Sequence, residues 1–227
     1  MWESRVAQLD KAAIFRVEGT LVKAPNIPAP AYFTMNVREM TRRVTRLSGW
    51  ALATGLKLAS PLKDQQVVHK VAWMGLRGMS EDRLIILGEE FYARHILPNL
   101  RDVGMELVKE AKRQGHRIIL ISDLLGCIVA PLKDHLGADV MICNTMEVDH
   151  GAATGKLETP VIGGPLSGQW AKTWAAEHAI DLDQSFAYGA QGSDSILLSA
   201  IGKPCAVFPD RRLRRIAKDL DWPIVEG

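Results

Sequence analysis

Cysteine is scarce: the 227 residues contain only Cys127, Cys143 and Cys205, and no two form a CxxC pair. This excludes a disulfide framework and zinc-ligand spacing, and it reads as reduced thiols in a cytosolic protein. The six histidines, His69, His95, His116, His135, His150 and His178, also lack metal-ligand spacing. Aromatic residues are few, at 6% of the chain. No apolar run is long enough to span a bilayer, which takes about 20 residues. The longest, Leu47 to Leu62, is broken by Lys57 and two glycines. The first residues show no basic-then-apolar leader pattern, so a cytoplasmic protein is expected, peripheral at a membrane at most. Charge of one sign is not in excess either, with a net charge of +2. Together with the lack of a DNA- or RNA-reading motif, that argues against a nucleic-acid partner.

What is present is the balance of a globular chain, 47% hydrophobic and 24% charged. Its length suits one α/β domain with a smaller insertion. The charge is unevenly spread. From Arg38 to Arg77 there are eight basic residues against Glu39 and Asp64, so this stretch carries +6 and the remainder −4. Ala12 to Phe15 reads as a strand running into a turn at Glu18-Gly19-Thr20. From about Ala31 to Leu97 the apolar residues recur at helical spacing, with a capped helix start at Ser80 and a stop at Pro98. Beyond that the periodicity alternates. Helices are expected at Val103 to Lys112, Leu125 to His135, Ser167 to His178, Asp194 to Ile201 and Arg211 to Lys218. Strands are expected at Arg117 to Ile121, Val140 to Ile142, Phe186 to Tyr188, Cys205 to Val207 and Pro223 to Val225, with a hairpin around Gly151. Such alternation implies a parallel sheet covered on both faces, with a site beyond the carboxyl ends of its strands.

Four short segments fall where such a sheet gathers them. They are Ile14-Phe15-Arg16-Val17-Glu18-Gly19-Thr20, Ile119-Leu120-Ile121-Ser122, Lys172 on a helix, and Gly189-Ala190-Gln191-Gly192-Ser193-Asp194. In order and spacing, over nearly the whole chain, these resemble the haloacid dehalogenase (HAD) phosphatases, above all the phosphoserine-phosphatase-like branch (subfamily IB). The ending Pro209-Asp210…Leu213…Ala217…Trp222-Pro223 is similar to that branch too. The resemblance implies a HAD-like Rossmannoid α/β core, residues 1–24 and 98–227, with an all-helical cap inserted at 25–97.

The departures bear on chemistry. In the family the first Asp of DxDGT is the nucleophile, the second is the general acid–base, and the first Asp of GDxxxD helps hold Mg²⁺. Here those positions are Arg16, Glu18 and Ala190, while Ser122, Lys172 and Asp194 remain. A guanidinium is always protonated and offers no lone pair for attack. Counting Arg16 and Lys172 against Glu18 and Asp194 gives a neutral site, a poor host for Mg²⁺. Arg16 is therefore expected near the metal's place, bridging Glu18 and Asp194, with no cofactor and no working catalytic residue. Loss of a nucleophile commonly costs about 10⁶ in rate.

Each residue also has a plainer reading. Glu18 and Asp194 suit loop fixing as well as ligand binding. Ser122 and Lys172 could hold a phosphorylated small ligand, or act as a helix cap and a salt bridge to Asp194. Asp123 reads as a surface or cap residue more readily than as a replacement nucleophile. Arg38, Arg42, Arg43 and Arg46, followed by the apolar run at Trp50, suit an acidic protein partner or an anionic membrane surface. The functional expectation is a non-catalytic, phosphatase-like binding or scaffold module working through its basic cap. The alternative is a phosphomonoester hydrolase using Glu18 or Asp123.

Overall fold

The computed structural model describes residues 10–36, 65–163 and 166–226. Arg38, Arg42, Arg43, Arg46 and Trp50, on which the membrane or partner expectation rests, lie outside the described residues.

The strands Ala12–Arg16 (β1), Arg117–Leu125 (β2), Val140–Asn144 (β3), Phe186–Gly189 (β6), Lys203–Val207 (β7) and Ile224–Val225 (β8) form one sheet in the order β3-β2-β1-β6-β7-β8. Every pairing in it is parallel. β1 lies between β2 and β6, and all five of its residues are buried, which is why it reads as a continuous apolar run and not as an alternation. Its side chains still alternate between two apolar layers. Ala13 and Phe15 join one with Ile118 and Leu120, and Ala12 and Ile14 join the other with Ile119 and Ile121.

On the first layer pack the helices Ala29–Met35 (α1), Gln65–Trp73 (α2), Glu81–Phe91 (α3), Asp102–Arg113 (α4) and Gly126–Leu136 (α5). The described helices of the inserted segment therefore share an apolar cluster with the sheet: Tyr32, Phe33, Trp73, Leu84 and Phe91 lie in it with Phe15 and Leu120. Ser80 caps α3 by accepting from Arg83 N, and a π turn, Tyr92–Ile96, follows before Pro98. α5 starts at Gly126 and not at Leu125, because β2 runs on to Leu125.

The second layer is covered by Leu166–Glu177 (α6), Ser195–Ser199 (α7) and Arg211–Asp219 (α8). In α6, Ala171, Trp174 and Ala175 are buried, the i, i+3, i+4 stripe of an amphipathic helix. Asp210 caps α8 by accepting from Leu213 N at 2.7 Å. The hairpin expected around Gly151 is present as Met146–Asp149 (β4) and Ala152–Leu157 (β5). Among the described residues, no helix is long and apolar enough to cross a membrane.

Candidate functional site

The carboxyl ends of β1, β2 and β6 converge, and the side chains gathered there form a charged cluster. Arg16 is the last residue of β1, opposite Ile121 of β2. Beyond Ile121 the pairing of β2 with β3 shifts register before Leu125. Ser122 and Asp123 thus leave the regular ladder and turn to the strand ends. The turn after β1 is closed by Gly19 N donating to Val22 O at 2.9 Å. Gly19 has φ +83° there, and a Cβ would stand 2.7 Å from that of Ala190. Glycine is required at this position both by conformation and by space.

Arg16 is the hub. It is 2% exposed, and its Nη2 donates to Asp123 Oδ1 at 2.8 Å and lies 3.3 Å from Glu18 Oε2. Its Nε is 3.0 Å from Asp194 Oδ1, an ion pair whose N–H direction misses a hydrogen bond. Nη1 is buried, with no hydrogen-bond partner among the described residues. Asp194 is also 2% exposed, whereas Glu18 and Asp123 are 22% and 20% exposed, with Glu18 Oε2 itself buried. Ser122 Oγ donates to Glu18 Oε1 at 2.5 Å, and Asp123 N donates to the same oxygen at 3.0 Å. Asp194 Oδ2 accepts from Ala190 N and Gln191 N, at 3.0 and 2.9 Å, and so fixes the loop after β6.

Two further residues reach the cluster from distant parts of the chain. His69 of α2 brings Nε2 to 3.6 Å from Asp123 Oδ2. The backbone of Gly163 passes so close that a Cβ would lie 2.8 Å from the imidazole Cδ2. Buried Asn144 donates to Asp123 O and Ile162 O, at 2.7 and 3.0 Å, and accepts from Ile162 N at 2.8 Å.

Lys172 is not part of this site. It is exposed on α6, one residue past the buried Ala171, and it lines a separate cleft with Ser195 and Ile196. The structure brings Lys172 neither to Asp194 nor to Ser122. Ser122 caps no helix; its oxygen accepts from Leu124 N at 3.1 Å and serves Glu18. Asp123, read from sequence as a surface or cap residue, is a central member. The neutral charge count changes accordingly: Arg16 now faces Glu18, Asp123 and Asp194, two negative charges in excess when all are ionised.

Burial and the charges of the cluster shift its carboxyls in different directions. Burial raises the Glu18 carboxyl above its ordinary value, against the pull of Arg16, and Asp123 adds to the rise. Asp194 is likewise raised by burial, although Arg16 and two backbone N–H groups oppose it. For Asp123 burial is outweighed by Arg16 and His69, which hold it well below the usual range. Burial disfavours the charge on Arg16, but Asp123, Asp194 and Glu18 together raise the guanidinium further above its ordinary value. Mg²⁺ takes octahedral oxygen ligands at about 2.0–2.1 Å. The residues present do not fit it, because a fixed guanidinium already sits 2.8–3.3 Å from all three carboxylates and Ala190 offers a methyl group.

The model of the haloacid dehalogenase-like hydrolases matches residues 13–197. This chain belongs to that family. It is 33% identical over 130 residues to the inhibition of morphological differentiation protein of Streptomyces azureus, covering 57% of this chain and 47% of that one. It is 28% identical over 149 residues to phosphoserine phosphatase SerB1 of Mycobacterium tuberculosis, covering 66% and 48%. The chain thus spans about half the length of these curated relatives. A solved structure of a protein of unknown function from Bordetella pertussis Tohama I superposes with a TM-score of 0.81 at 20% identity, covering 96% of this chain and 98% of that one. This HAD chain is accordingly phosphatase-like in family and in fold.

Proposed function

We propose that this HAD-family protein does not transfer phosphoryl groups by the family mechanism and serves instead as a binding or scaffold module that works without Mg²⁺. One observation carries the reading: the residue at the family's nucleophile position is a buried guanidinium held by Glu18, Asp123 and Asp194. A nucleophile needs a lone pair directed at phosphorus, and a metal needs ligands free of another cation. Arg16 supplies neither condition. A protein or anionic membrane partner for the basic stretch at Arg38, Arg42, Arg43 and Arg46 remains part of this proposal.

A second reading has its own support. Asp123 is held in its charged form and is 20% exposed, as an attacking carboxylate must be charged and accessible, and the relatives include a phosphoserine phosphatase. On that reading the chain is a phosphomonoester hydrolase with a displaced nucleophile. The two are separated by comparing the native chain with the triple variant Arg16→Asp, Glu18→Asp, Ala190→Asp. Both are titrated with Mg²⁺ by calorimetry and assayed for phosphate release. The first reading expects no heat and no turnover from the native chain, and Mg²⁺ binding by the variant. Mg²⁺ binding by the native chain, with turnover abolished by Asp123→Asn, would establish the second.

A further inference from the structure

The Arg16 cluster lies at the carboxyl ends of the strands, but another cleft opens near the amino ends of β6 and β7, on the first layer. Its volume is about 620 Å³, within the range of about 300–1,000 Å³ usual for small-ligand sites. Phe186 and Tyr188 line it, together with Leu107 of α4 and Trp222 ahead of β8. Being two apart on β6, Phe186 and Tyr188 share one face of the sheet. Their rings stand 6.3 Å apart and within 7° of parallel, and Phe15 stacks on Tyr188 with centroids 4.4 Å apart. On β7, Lys203 stands opposite Phe186 and Cys205 opposite Tyr188. Lys203 brings its ammonium 4.9 Å from the centroid of the Phe186 ring, whereas the short side chain of Cys205 leaves room beside Tyr188.

Three polar groups of this cleft lack partners. Tyr188 is 8% exposed, yet its hydroxyl makes no hydrogen bond among the described residues. That oxygen is not sealed from solvent, and so it is reached through the cleft that Tyr188 lines. Burial, with Cys205 and Glu110 beside it, pushes the phenol up to about 12; it stays protonated at neutral pH and can both donate and accept. Lys203 and Asp221 also line the cleft, and both are exposed. Neither has an ion-pair partner among the described residues, and they do not pair with each other. One cavity thus combines an aromatic wall, a buried hydroxyl and two separate opposite charges.

We propose that this cleft binds a free amino acid with a large aromatic side chain carrying an N–H or O–H group. Its carboxylate meets Lys203, its ammonium meets Asp221, its ring lies against Phe186 and Trp222, and its polar edge reaches the Tyr188 hydroxyl. Charge complementarity selects a zwitterion, because a ligand of one sign leaves one of the two charges unanswered or repelled. A nucleotide, with several negative charges, would face Asp221 with only one lysine in the lining to balance it. The aromatic lining selects a ring, since aromatic pairs gain from contact at about 4.5–7 Å beyond the area they bury. The buried hydroxyl selects the polar edge, because a ligand without one leaves it unpaired. This cleft shares no residue with the Arg16 cluster, so the fate of either proposal leaves the other standing.

The test is equilibrium dialysis of the intact chain against four probes. These are L-tryptophan, tryptamine without the carboxylate, indole-3-propionate without the ammonium, and L-phenylalanine without the ring N–H. Saturable binding of tryptophan is expected, with each of the other three weaker by about tenfold, the effect of one lost charged or buried hydrogen bond. Lys203→Gln should abolish the preference for tryptophan over tryptamine, and Asp221→Asn the preference over indole-3-propionate. Tyr188→Phe keeps the ring and should abolish the preference over phenylalanine. Lys156→Gln on β5 should change nothing. Thermal unfolding of each variant checks that the fold is kept, and the two exposed positions serve alone should Tyr188→Phe unfold. No saturable binding of tryptophan overturns the proposal, as does equal affinity for the four probes. Tryptophan binding that survives both Lys203→Gln and Asp221→Asn unchanged overturns it as well.

Discussion

Removing the guanidinium of Arg16 while keeping the volume of its stem, by Arg16→Met, should destabilise the protein at neutral pH. Breaking a buried ion cluster at one partner costs about 3–5 kcal/mol, because the remaining charge is left uncompensated. Here Asp194 would be stranded at 2% exposure, whereas Glu18 and Asp123, at 22% and 20%, would recover some hydration. The lower half of the range, about 3–4 kcal/mol, is therefore expected. At about 2–4 °C per kcal/mol for a chain of this size, Tm should fall by about 6–16 °C. Arg16→Lys keeps the charge without the planar fork and should fall between the two.

The pH dependence gives the same prediction a second, independent readout. Glu18 and Asp194 are already raised in the folded protein. Their protonation stabilises the fold fully below their ordinary values, and that contribution is lost as pH rises through the folded ones. Asp123 is depressed; its contribution is present above its ordinary value and lost as pH falls through the folded one. Without Arg16 all three carboxyls rise, so the deficit of Arg16→Met should shrink between about pH 7 and about pH 4, where carboxyls titrate. Thermal unfolding followed by circular dichroism, on both proteins across that range, decides it. An Arg16→Met chain as stable as the native one at neutral pH, or a deficit that grows on acidification, would contradict a stabilising role for the buried guanidinium.

Further outcomes follow from other contacts of the site. Asn144→Ala removes the partners of Asp123 O, Ile162 O and Ile162 N; at about 1–3 kcal/mol per stranded buried group, urea unfolding should show a loss of at least about 2 kcal/mol. Gly19→Ala meets both a positive φ and the Ala190 methyl, so a loss of at least about 1 kcal/mol is expected, and a neutral effect would contradict the turn geometry. Ser122→Ala deletes the hydroxyl whose hydrogen bond lowers the Glu18 carboxyl; carboxyl NMR titration should find Glu18 raised further, and an unchanged or lowered value would contradict the contact.

Much of this molecule is legible in the sequence because parallel sheets write themselves as apolar runs. The strands at β1, β2, β3, β6, β7 and β8, the hairpin around Gly151 and the capped start at Ser80 all follow from local spacing. The meeting of Arg16, Glu18 and Asp194 at the strand ends is legible only through the motif frame around Arg16. Asp123 is not, because its side chain reaches the cluster through a register shift that leaves no mark in periodicity. His69 arrives from another element, and no local signal announces a contact across that separation. Lys172 is the instructive case. Ala171, Trp174 and Ala175 define the buried stripe of α6, and that spacing alone would have turned Lys172 away from the sheet.

Whether the Arg16 site is silent is decided by phosphate release by the native chain, with and without Mg²⁺, across small phosphomonoesters that include phosphoserine. A buried guanidinium in place of the nucleophile predicts release no faster than that of an Arg16→Met chain, and no response to the metal. Mg²⁺-dependent turnover by the native chain that disappears in Asp123→Asn would contradict it.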